Sequence, residues 1–280
     1  MVYFIAALLV AVVALVGCAG WLQEQLIFFP EHLDEDADLS WTGATEEVFL
    51  DTEDGARIHG LFFEAPHTSR GVVLYFHGNA GSVASWYEVA ARLVHYDVDV
   101  LLIDYRTYGK STGDLSEPGL YQDGDAAYEH LRSRGYEPES IVVYGRSLGG
   151  AVATHVASEY PVAGVALETP FTDLYQLALD LYPFPLPQSI FRYSFDNKMR
   201  APTIEAPAWV VHGTSDSIVP VEHGREVYEA LANPWKMTII EGGGHNDLMG
   251  FDDHDRDLTL FFDEVLGPTV EEGHPEGISK

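Results

Sequence analysis

The sequence of 280 residues has one cysteine, Cys18, and only 15 lysine and arginine residues, of which four are lysine. A single cysteine cannot form a disulfide within the chain, so a disulfide-stabilised scaffold is excluded. The 44 aspartate and glutamate residues give a net charge of −29 at pH 7. Nucleic-acid binding needs clustered lysine and arginine side chains, so we do not expect this protein to bind nucleic acid. The sequence also lacks a regular glycine period and sustained heptads, which excludes collagen and coiled coils.

The excess of acidic over basic residues has two interpretations. An acid-rich, lysine-poor surface keeps a protein soluble at high salt, where the repulsion between like charges is screened. The composition therefore fits a salt-adapted host, and it fits equally a protein that is merely acidic.

The N-terminal segment is apolar. Residues 2–22 contain no charged side chain, and 21 residues are long enough to span a bilayer as a helix. A cleaved secretory signal would normally have a basic start, which is absent here. Leu15-Val16-Gly17-Cys18 resembles a bacterial lipobox, in which the cysteine is lipidated. We therefore predict a membrane anchor or lipoprotein signal at residues 1–25. We expect the domain that follows on the outer (periplasmic or extracellular) side, although no lysine or arginine precedes Arg57 to set the orientation.

The remaining chain alternates short apolar runs with amphipathic segments, which predicts an α/β fold. The predicted sheet is mostly parallel with helices on both faces, in one domain at residues 26–266. Residues 169–206 contain no clear strand and are predicted to form a short insert over the C-terminal edge of the sheet. Residues 267–280 are predicted to be a disordered tail. The predicted strands are 48–50, 58–63, 72–76, 98–103, 141–144, 162–167, 208–211 and 237–240; the predicted helices are 82–94, 117–132, 148–159, 222–231 and 254–265.

The strongest chemical motif is Gly145-Arg146-Ser147-Leu148-Gly149, between a predicted strand and a predicted helix. The spacing Gly-x-Ser-x-Gly places a serine on a tight strand-to-helix turn, with its hydroxyl above the sheet. The helix N-terminus nearby favours developing negative charge. Ser147 is therefore the predicted nucleophile.

A serine nucleophile needs a base and an orienting carboxylate. His245 lies on a glycine-rich loop after the last predicted strand, and it is the predicted base. Asp216 follows the strand before that one and is the predicted acid, with Asp247 as the alternative. The chain order of serine, acid and histidine suits a serine hydrolase built on a parallel sheet.

The loop His77-Gly78-Asn79-Ala80-Gly81 follows the strand 72–76 and can supply one N–H donor to an oxyanion. The first choice for that donor is Asn79, and Ala80 is the second. The residue after the nucleophile, Leu148, supplies the other donor. His77 itself is interpreted as a support for the loop.

These motifs together resemble the α/β-hydrolase superfamily of serine hydrolases. More narrowly, the chain resembles the membrane-anchored group related to the fungal bud-emergence protein and the α/β-hydrolase-domain depalmitoylases. The resemblance implies the triad Ser147, Asp216 and His245 and an N-terminal membrane segment. The matching segments are 28–30, 77–81, 104–106, 145–150, 212–220 and 243–247.

For several residues the sequence leaves open both a functional and a structural role. Asp104, Arg106, Tyr108 and Gly109 form either a functional block or a loop held by an internal ion pair. Glu168 either lines the site or caps its loop. The apolar side chains of the insert either contact an acyl chain or pack the insert onto the sheet; they are Leu177, Leu181, Tyr182, Phe184, Leu186, Ile190, Phe191, Tyr193 and Phe195.

The sequence therefore predicts a serine hydrolase that cleaves carboxylic esters or thioesters, with small-molecule or acylated substrates. No metal-ligand cluster and no phosphate-binding glycine motif is apparent, so we expect neither a metal nor a nucleotide cofactor. A serine peptidase of the same fold and a catalytically silent, membrane-tethered binding protein are the alternatives. The oligomeric state is left open.

Overall fold

The apolar runs of the sequence form the centre of a large sheet. The computed structural model describes residues 20–182 and 187–269. Its strands are β1 (Phe29–Pro30), β2 (Glu46–Asp51), β3 (Arg57–Phe63), β4 (Val72–Phe76), β5 (Ala80–Gly81), β6 (Asp99–Ile103), β7 (Ile141–Arg146), β8 (Gly164–Glu168), β9 (Ala208–Gly213) and β10 (Pro234–Ile240). Every residue of β4, β6, β7, β8 and β9 is buried, as expected for parallel strands covered on both faces.

Most of the helices lie between these strands in the chain, whereas α1 precedes β1 and α8 follows β10. They are α1 (residues 20–27), α2 (Val83–Leu93), α3 (Glu117–Ser133), α4 (Leu148–Glu159), α5 (Leu174–Leu181), α6 (Asn197–Arg200), α7 (Val221–Ala230) and α8 (Asp252–Leu266). Side chains at several first turns explain where helices begin. Ser82 accepts a hydrogen bond from Ala84 N at the start of α2, and Ser116 and Asp173 do the same for α3 and α5.

Eight strands form the main sheet, in the order β10-β9-β8-β7-β4-β6-β3-β2. β2 and β3 form an antiparallel pair, β3 is also antiparallel to β6, and the other neighbours are parallel. One core lies between the sheet and α3, α4 and α7; a second lies between the opposite face and α2 and α8. The predicted fold class, a mostly parallel sheet with helices on both faces, is confirmed.

The parallel strands all end at one edge of the sheet. The loops that carry the predicted site residues leave this edge: 77–81 after β4, Ser147 after β7, 213–220 after β9 and 241–247 after β10. Ligands of open α/β sheets bind outside the carboxyl ends of the strands. The fold therefore gathers residues from distant parts of the sequence at one place.

The N-terminal residues 28–30 are attached to this edge. β1 pairs in parallel with β5, and Phe28 packs against Tyr193 and Phe195. The described part of the segment 169–206 contains α5, α6 and 3-10 turns at Gln188–Ile190 and Ala201–Thr203.

Two predictions fall mainly on residues outside the described ranges. The predicted anchor includes residues 1–19, and the predicted tail includes residues 270–280. In residues 20–182 and 187–269, no helix combines the length and the hydropathy that a membrane crossing requires.

Candidate active site

The serine turn is as tight as its motif predicts. Ser147 has φ +52° and ψ −115°, a backbone conformation that costs energy in a residue with a side chain. A Cβ atom on Gly145 would lie 2.3 Å from the Gly149 carbonyl oxygen. A Cβ atom on Gly149 would lie 2.0 Å from the Phe76 carbonyl oxygen. Only glycine fits at these two positions, and α4 begins directly after the serine.

His245 lies beside Asp216. Its Nδ1 is 2.7 Å from Asp216 Oδ2, and the carboxylate is fully buried while the imidazole is 9% exposed. Because a carboxylate only accepts hydrogen bonds, Nδ1 carries the proton. In the neutral imidazole, Nε2 then carries no proton, and this is the tautomer that a general base requires.

The surroundings of Asp216 keep it ionised. Oδ1 accepts hydrogen bonds from the Ile218 and Val219 N–H groups at 2.9 and 2.8 Å, and His212 Nε2 lies 3.3 Å from Oδ2. Burial raises the pKa of Asp216, but the hydrogen bonds from His212 and His245 outweigh it and hold the pKa below its usual range. The carboxylate is therefore charged and fixed in orientation at neutral pH.

The alternative acid, Asp247, has another contact. Its Oδ1 accepts a hydrogen bond from the Gly244 N–H at 2.7 Å. It therefore closes the turn that contains His245, and Asp216 is the carboxylate that His245 contacts.

The loop 77–81 is held from several sides. The Asn79 carbonyl accepts from the Phe29 N–H at 2.9 Å and from the Tyr108 hydroxyl at 2.8 Å, and the Asn79 side chain donates to the Ile27 carbonyl. Within the described residues, no protein acceptor takes the backbone N–H of Asn79 or of Leu148. Both predicted donors are therefore available to a ligand.

His77 has the supporting contacts expected of it. Its ring is fully buried and stacks on Trp86, and its Nδ1 lies 2.6 Å from the Gly78 carbonyl oxygen. Its Nε2 lies 3.6 Å from a carboxylate oxygen of Asp104.

Ser147 and His245 are connected through the side chain of Arg146 in this structure. The hydrogen bonds of the described residues include none between the Ser147 hydroxyl and His245. Catalytic hydrogen bonds are often long without substrate and tighten in its complex. Instead, the neighbour of the serine, Arg146, donates from Nη2 to the His245 carbonyl at 2.8 Å.

Two residues of this site are missing from the sequence-based assignment. Arg146 was only a variable position in the Gly-x-Ser-x-Gly motif, yet its side chain is 8% exposed and reaches the histidine loop. Trp86 on α2 covers the loop 77–81, and its indole N–H donates to the Ala80 carbonyl at 2.7 Å. A charged residue at the end of an apolar strand was the only available sign for Arg146; no sequence signal identified Trp86.

Glu168 is buried behind the site. Its side chain is fully buried, and its carbonyl oxygen accepts from the Ser147 N–H at 2.9 Å. Of the two readings, the structure supports the one in which Glu168 holds the loop.

The block at residues 104–109 was expected to be held by an internal ion pair, but the ion pairs of Arg106 are with residues outside the block. Arg106 pairs with Asp123 at 2.9 Å and with Asp54 at 2.8 Å, both outside the block. Asp104 instead lies 3.0 Å from His59 and accepts from the Val83 N–H at the start of α2. The sequence could not show this because the partners are 17 to 52 residues away from Arg106.

The described apolar side chains of the insert range from buried to exposed, and Leu177 and Phe191 lie between these extremes. Tyr193 and Phe195 are at most 1% exposed and belong to the core, so they pack the insert onto the sheet. Leu181, Tyr182 and Ile190 are 42% to 56% exposed. Phe184 and Leu186 lie outside the described residues.

Comparison with known proteins finds a matching family model and relatives that are similar over most of this chain. Residues 67–191 match the family model described as "Serine aminopeptidase, S33". An uncharacterised protein of Mycobacterium tuberculosis is 36% identical over 247 residues, which are 85% of this chain and 87% of the relative. Human α/β-hydrolase domain-containing protein 17B is 30% identical over 276 residues, with 89% and 93% coverage.

A solved esterase of Pyrococcus furiosus has a similar structure. It superimposes with a TM-score of 0.68 at 21% identity, and the match covers 86% of this chain and 98% of the esterase. At that identity the similarity concerns the fold. Together with the relatives that match over most of their length, it shows that this chain belongs to the α/β-hydrolase superfamily.

Proposed function

We propose that this hydrolase cleaves carboxylic esters or thioesters through an acyl intermediate on Ser147. The observation that carries the proposal is the 2.7 Å contact between His245 Nδ1 and the buried Asp216. It leaves Nε2 of the neutral imidazole free to act as a base, on a loop at the carboxyl edge of the sheet. Ser147 on its strained turn is the nucleophile at that edge.

The chemical steps follow from these groups. His245 Nε2 takes the Ser147 hydroxyl proton as Oγ attacks the carbonyl carbon, and the Asn79 and Leu148 N–H groups stabilise the resulting oxyanion. The bond to the leaving oxygen or sulfur breaks, and the imidazolium returns the proton to it. A water molecule then attacks the acyl carbon, giving its proton to Nε2. The bond to Oγ breaks, the acid leaves and Ser147 recovers its proton.

Apolar surface supports an acyl or lipid-like substrate. Leu181, Tyr182 and Ile190 belong to the segment that follows β8, and an acyl chain gains about 25 cal/mol for each Å² that it buries. The charge-free residues 2–22 support a membrane tether, and the proposal places the hydrolase domain on the outer side of that membrane. Loss of membrane association on deletion of residues 1–19 would support the tether, and unchanged association would contradict it.

A peptidase is the second candidate, because the matching family model is described as a serine aminopeptidase. Ester and amide cleavage use the same nucleophile and oxyanion donors. Rates on a chain-length series of esters and thioesters, compared with rates on aminoacyl amides, separate the two candidates.

The first test is covalent labelling with a fluorescent fluorophosphonate, at low and high salt. This probe reacts with a serine when the base and the oxyanion donors are assembled. We expect the wild-type protein to be labelled, and Ser147→Ala to lose labelling and to lose turnover by at least about 10,000-fold. Ser158→Ala is a matched control on the same helix, since the Ser158 hydroxyl donates to the His155 carbonyl and makes no other hydrogen bond within the described residues; it should react as wild type does.

Two results would contradict the proposal. A folded wild-type protein that is not labelled at either salt would favour the binding-protein alternative. Equal labelling of Ser147→Ala would show that another serine is the nucleophile.

A further inference from the structure

Arg146 connects the serine turn with the histidine loop. Its Nη2 donates to the His245 carbonyl at 2.8 Å and to the Asn246 side-chain oxygen at 2.7 Å. The guanidinium group therefore holds two consecutive residues of the loop on which the base lies. Since Arg146 directly precedes Ser147, any movement of one loop is transmitted to the other.

Glu168 fixes the other side of this arginine. Arg146 Nε lies 3.4 Å from Glu168 Oε1, and both side chains are buried. Glu168 Oε2 accepts from the Tyr144 hydroxyl at 2.6 Å, which holds the carboxylate in place. Burial raises the pKa of Glu168, but the charge of Arg146 and the neighbouring His254 lower it to about 2. Glu168 is therefore ionised at neutral pH.

The backbone of Glu168 contacts the nucleophile itself. Its carbonyl accepts from the Ser147 N–H at 2.9 Å. One residue thus supports the serine turn through its backbone and the arginine through its side chain.

A further contact of Arg146 is with Trp86, which binds the loop 77–81 that carries the predicted oxyanion donor, here called the oxyanion loop. Its guanidinium carbon lies 5.1 Å from the centre of the Trp86 ring, within the range of a cation–π interaction. Trp86 in turn donates to the Ala80 carbonyl at 2.7 Å. The nucleophile, the base and the oxyanion loop all meet around this one side chain.

We propose that Arg146, held by Glu168, is a positioning residue that sets the His245 loop and the oxyanion loop relative to Ser147. The inference deepens the proposed function and rests on it. A planar guanidinium can bind two acceptors and stack on an aromatic ring at once, which lysine cannot do. A misplacement of about 1 Å between reacting groups costs about 100-fold in rate.

The test measures the rate of fluorophosphonate labelling per active site, together with the labelled fraction, the melting temperature, kcat and KM. We expect Arg146→Gln to be labelled to the same final fraction as wild type but about 100-fold more slowly. Its kcat should fall by a similar factor, with KM changed less than about threefold. Arg146→Lys keeps the charge beside Glu168 and should recover about tenfold of that loss.

Two further variants control the experiment. The double variant Arg146→Gln/Glu168→Gln removes both charges, so it avoids leaving Glu168 buried without a counterion, and it should be as slow as Arg146→Gln. Arg134→Gln removes an arginine that also pairs with a glutamate, Glu46 at 2.7 Å, and also lies over a ring, 4.2 Å from that of Phe62. Arg134 follows the end of α3, away from the site loops, and its variant should label at the wild-type rate.

The outcomes separate this role from the proposed function. Per-site rates within threefold of wild type in the double variant and in Arg146→Lys would overturn the positioning role. So would a lower labelled fraction with an unchanged per-site rate, since that is the result of partial unfolding alone. Failure of wild type to label, or labelling of Ser147→Ala, would overturn the proposed function, and the role of Arg146 with it.

Discussion

Two buried arginines lie at or just after the carboxyl ends of β6 and β7, the two strands that flank β4, and their contacts differ. Arg106 follows β6, and its side chain donates to two carboxylates, Asp123 and Asp54. Arg146 is the last residue of β7. Its Nη2 donates to the His245 carbonyl and to the Asn246 side-chain oxygen, and its carboxylate partner, Glu168, lies 3.4 Å from Nε. Arg106 thus neutralises fixed charges, whereas Arg146 leaves its donors for the loop that carries His245.

The comparison teaches that burial and charge alone do not indicate a function. Arg106 joins β6 and α3 to the turn between β2 and β3, all of which are scaffold. Arg146 joins loops at the carboxyl edge, where the reacting groups lie. We therefore expect the first arginine to govern stability and the second to govern rate.

The largest expected effect is on stability. Arg106→Gln leaves Asp123 buried without a cation, and removal of one partner from a buried pair costs about 3–5 kcal/mol. Urea unfolding should show this loss, while the labelling rate per active site stays within twofold of wild type. A loss of rate equal to that of Arg146→Gln would remove the distinction between the two arginines.

The next effect concerns acid stability. The folded-state pKa of Glu168, about 2, lies below its ordinary value of 4.5, so its contribution to stability is present above pH 4.5 and is lost as the pH falls towards 2. Glu168→Gln removes this titration. The difference in unfolding free energy between wild type and variant should shrink on acidification below pH 4.5, by at most about 1.4 kcal/mol per pH unit.

Urea unfolding at intervals between pH 6 and pH 3 measures that difference directly. The other carboxylates titrate in both proteins and cancel in the comparison. A difference that stays constant over this range would show that folding does not lower the pKa of Glu168.

The smallest effects come from the outer partners of the two arginines. Asn246→Ala removes one of the two acceptors of Arg146 Nη2 and leaves the His245 carbonyl contact, so the labelling rate should fall by about fivefold, less than in Arg146→Gln. Its unfolding free energy should change by less than about 0.5 kcal/mol, since the residue is exposed. Asp54→Asn is the counterpart at Arg106 and should cost up to about 1 kcal/mol of stability with no change in rate.

Parallel measurements of unfolding and labelling on these two variants check the expectation. If Asn246→Ala lowered stability and left the labelling rate unchanged, the loop contact of Arg146 would be part of the scaffold as well.

Much of the fold could be predicted from the sequence. The runs at 72–76 and 141–144 are continuous and apolar, so strands buried on both faces were the only consistent assignment. The boundaries were less certain: β8 begins at Gly164 and includes Glu168, because a buried glutamate can end a strand when an arginine pairs with it. The contact of His245 with Asp216 could be anticipated from chain order, since loops at one edge of a parallel sheet must meet.

By itself, the sequence determined the alternation of strands and helices, the glycines that allow the turn at Ser147, and the order of the three site loops. These depend on local spacing and on steric limits within a few residues. Only the tertiary structure decided that Arg146 reaches His245 and Asn246, that Arg106 pairs with Asp123 and Asp54, and that Trp86 covers the oxyanion loop. Such pairings join residues up to 100 positions apart. They arise because sheet packing brings the ends of different strands together, and no local pattern specifies which charged side chain will meet which partner.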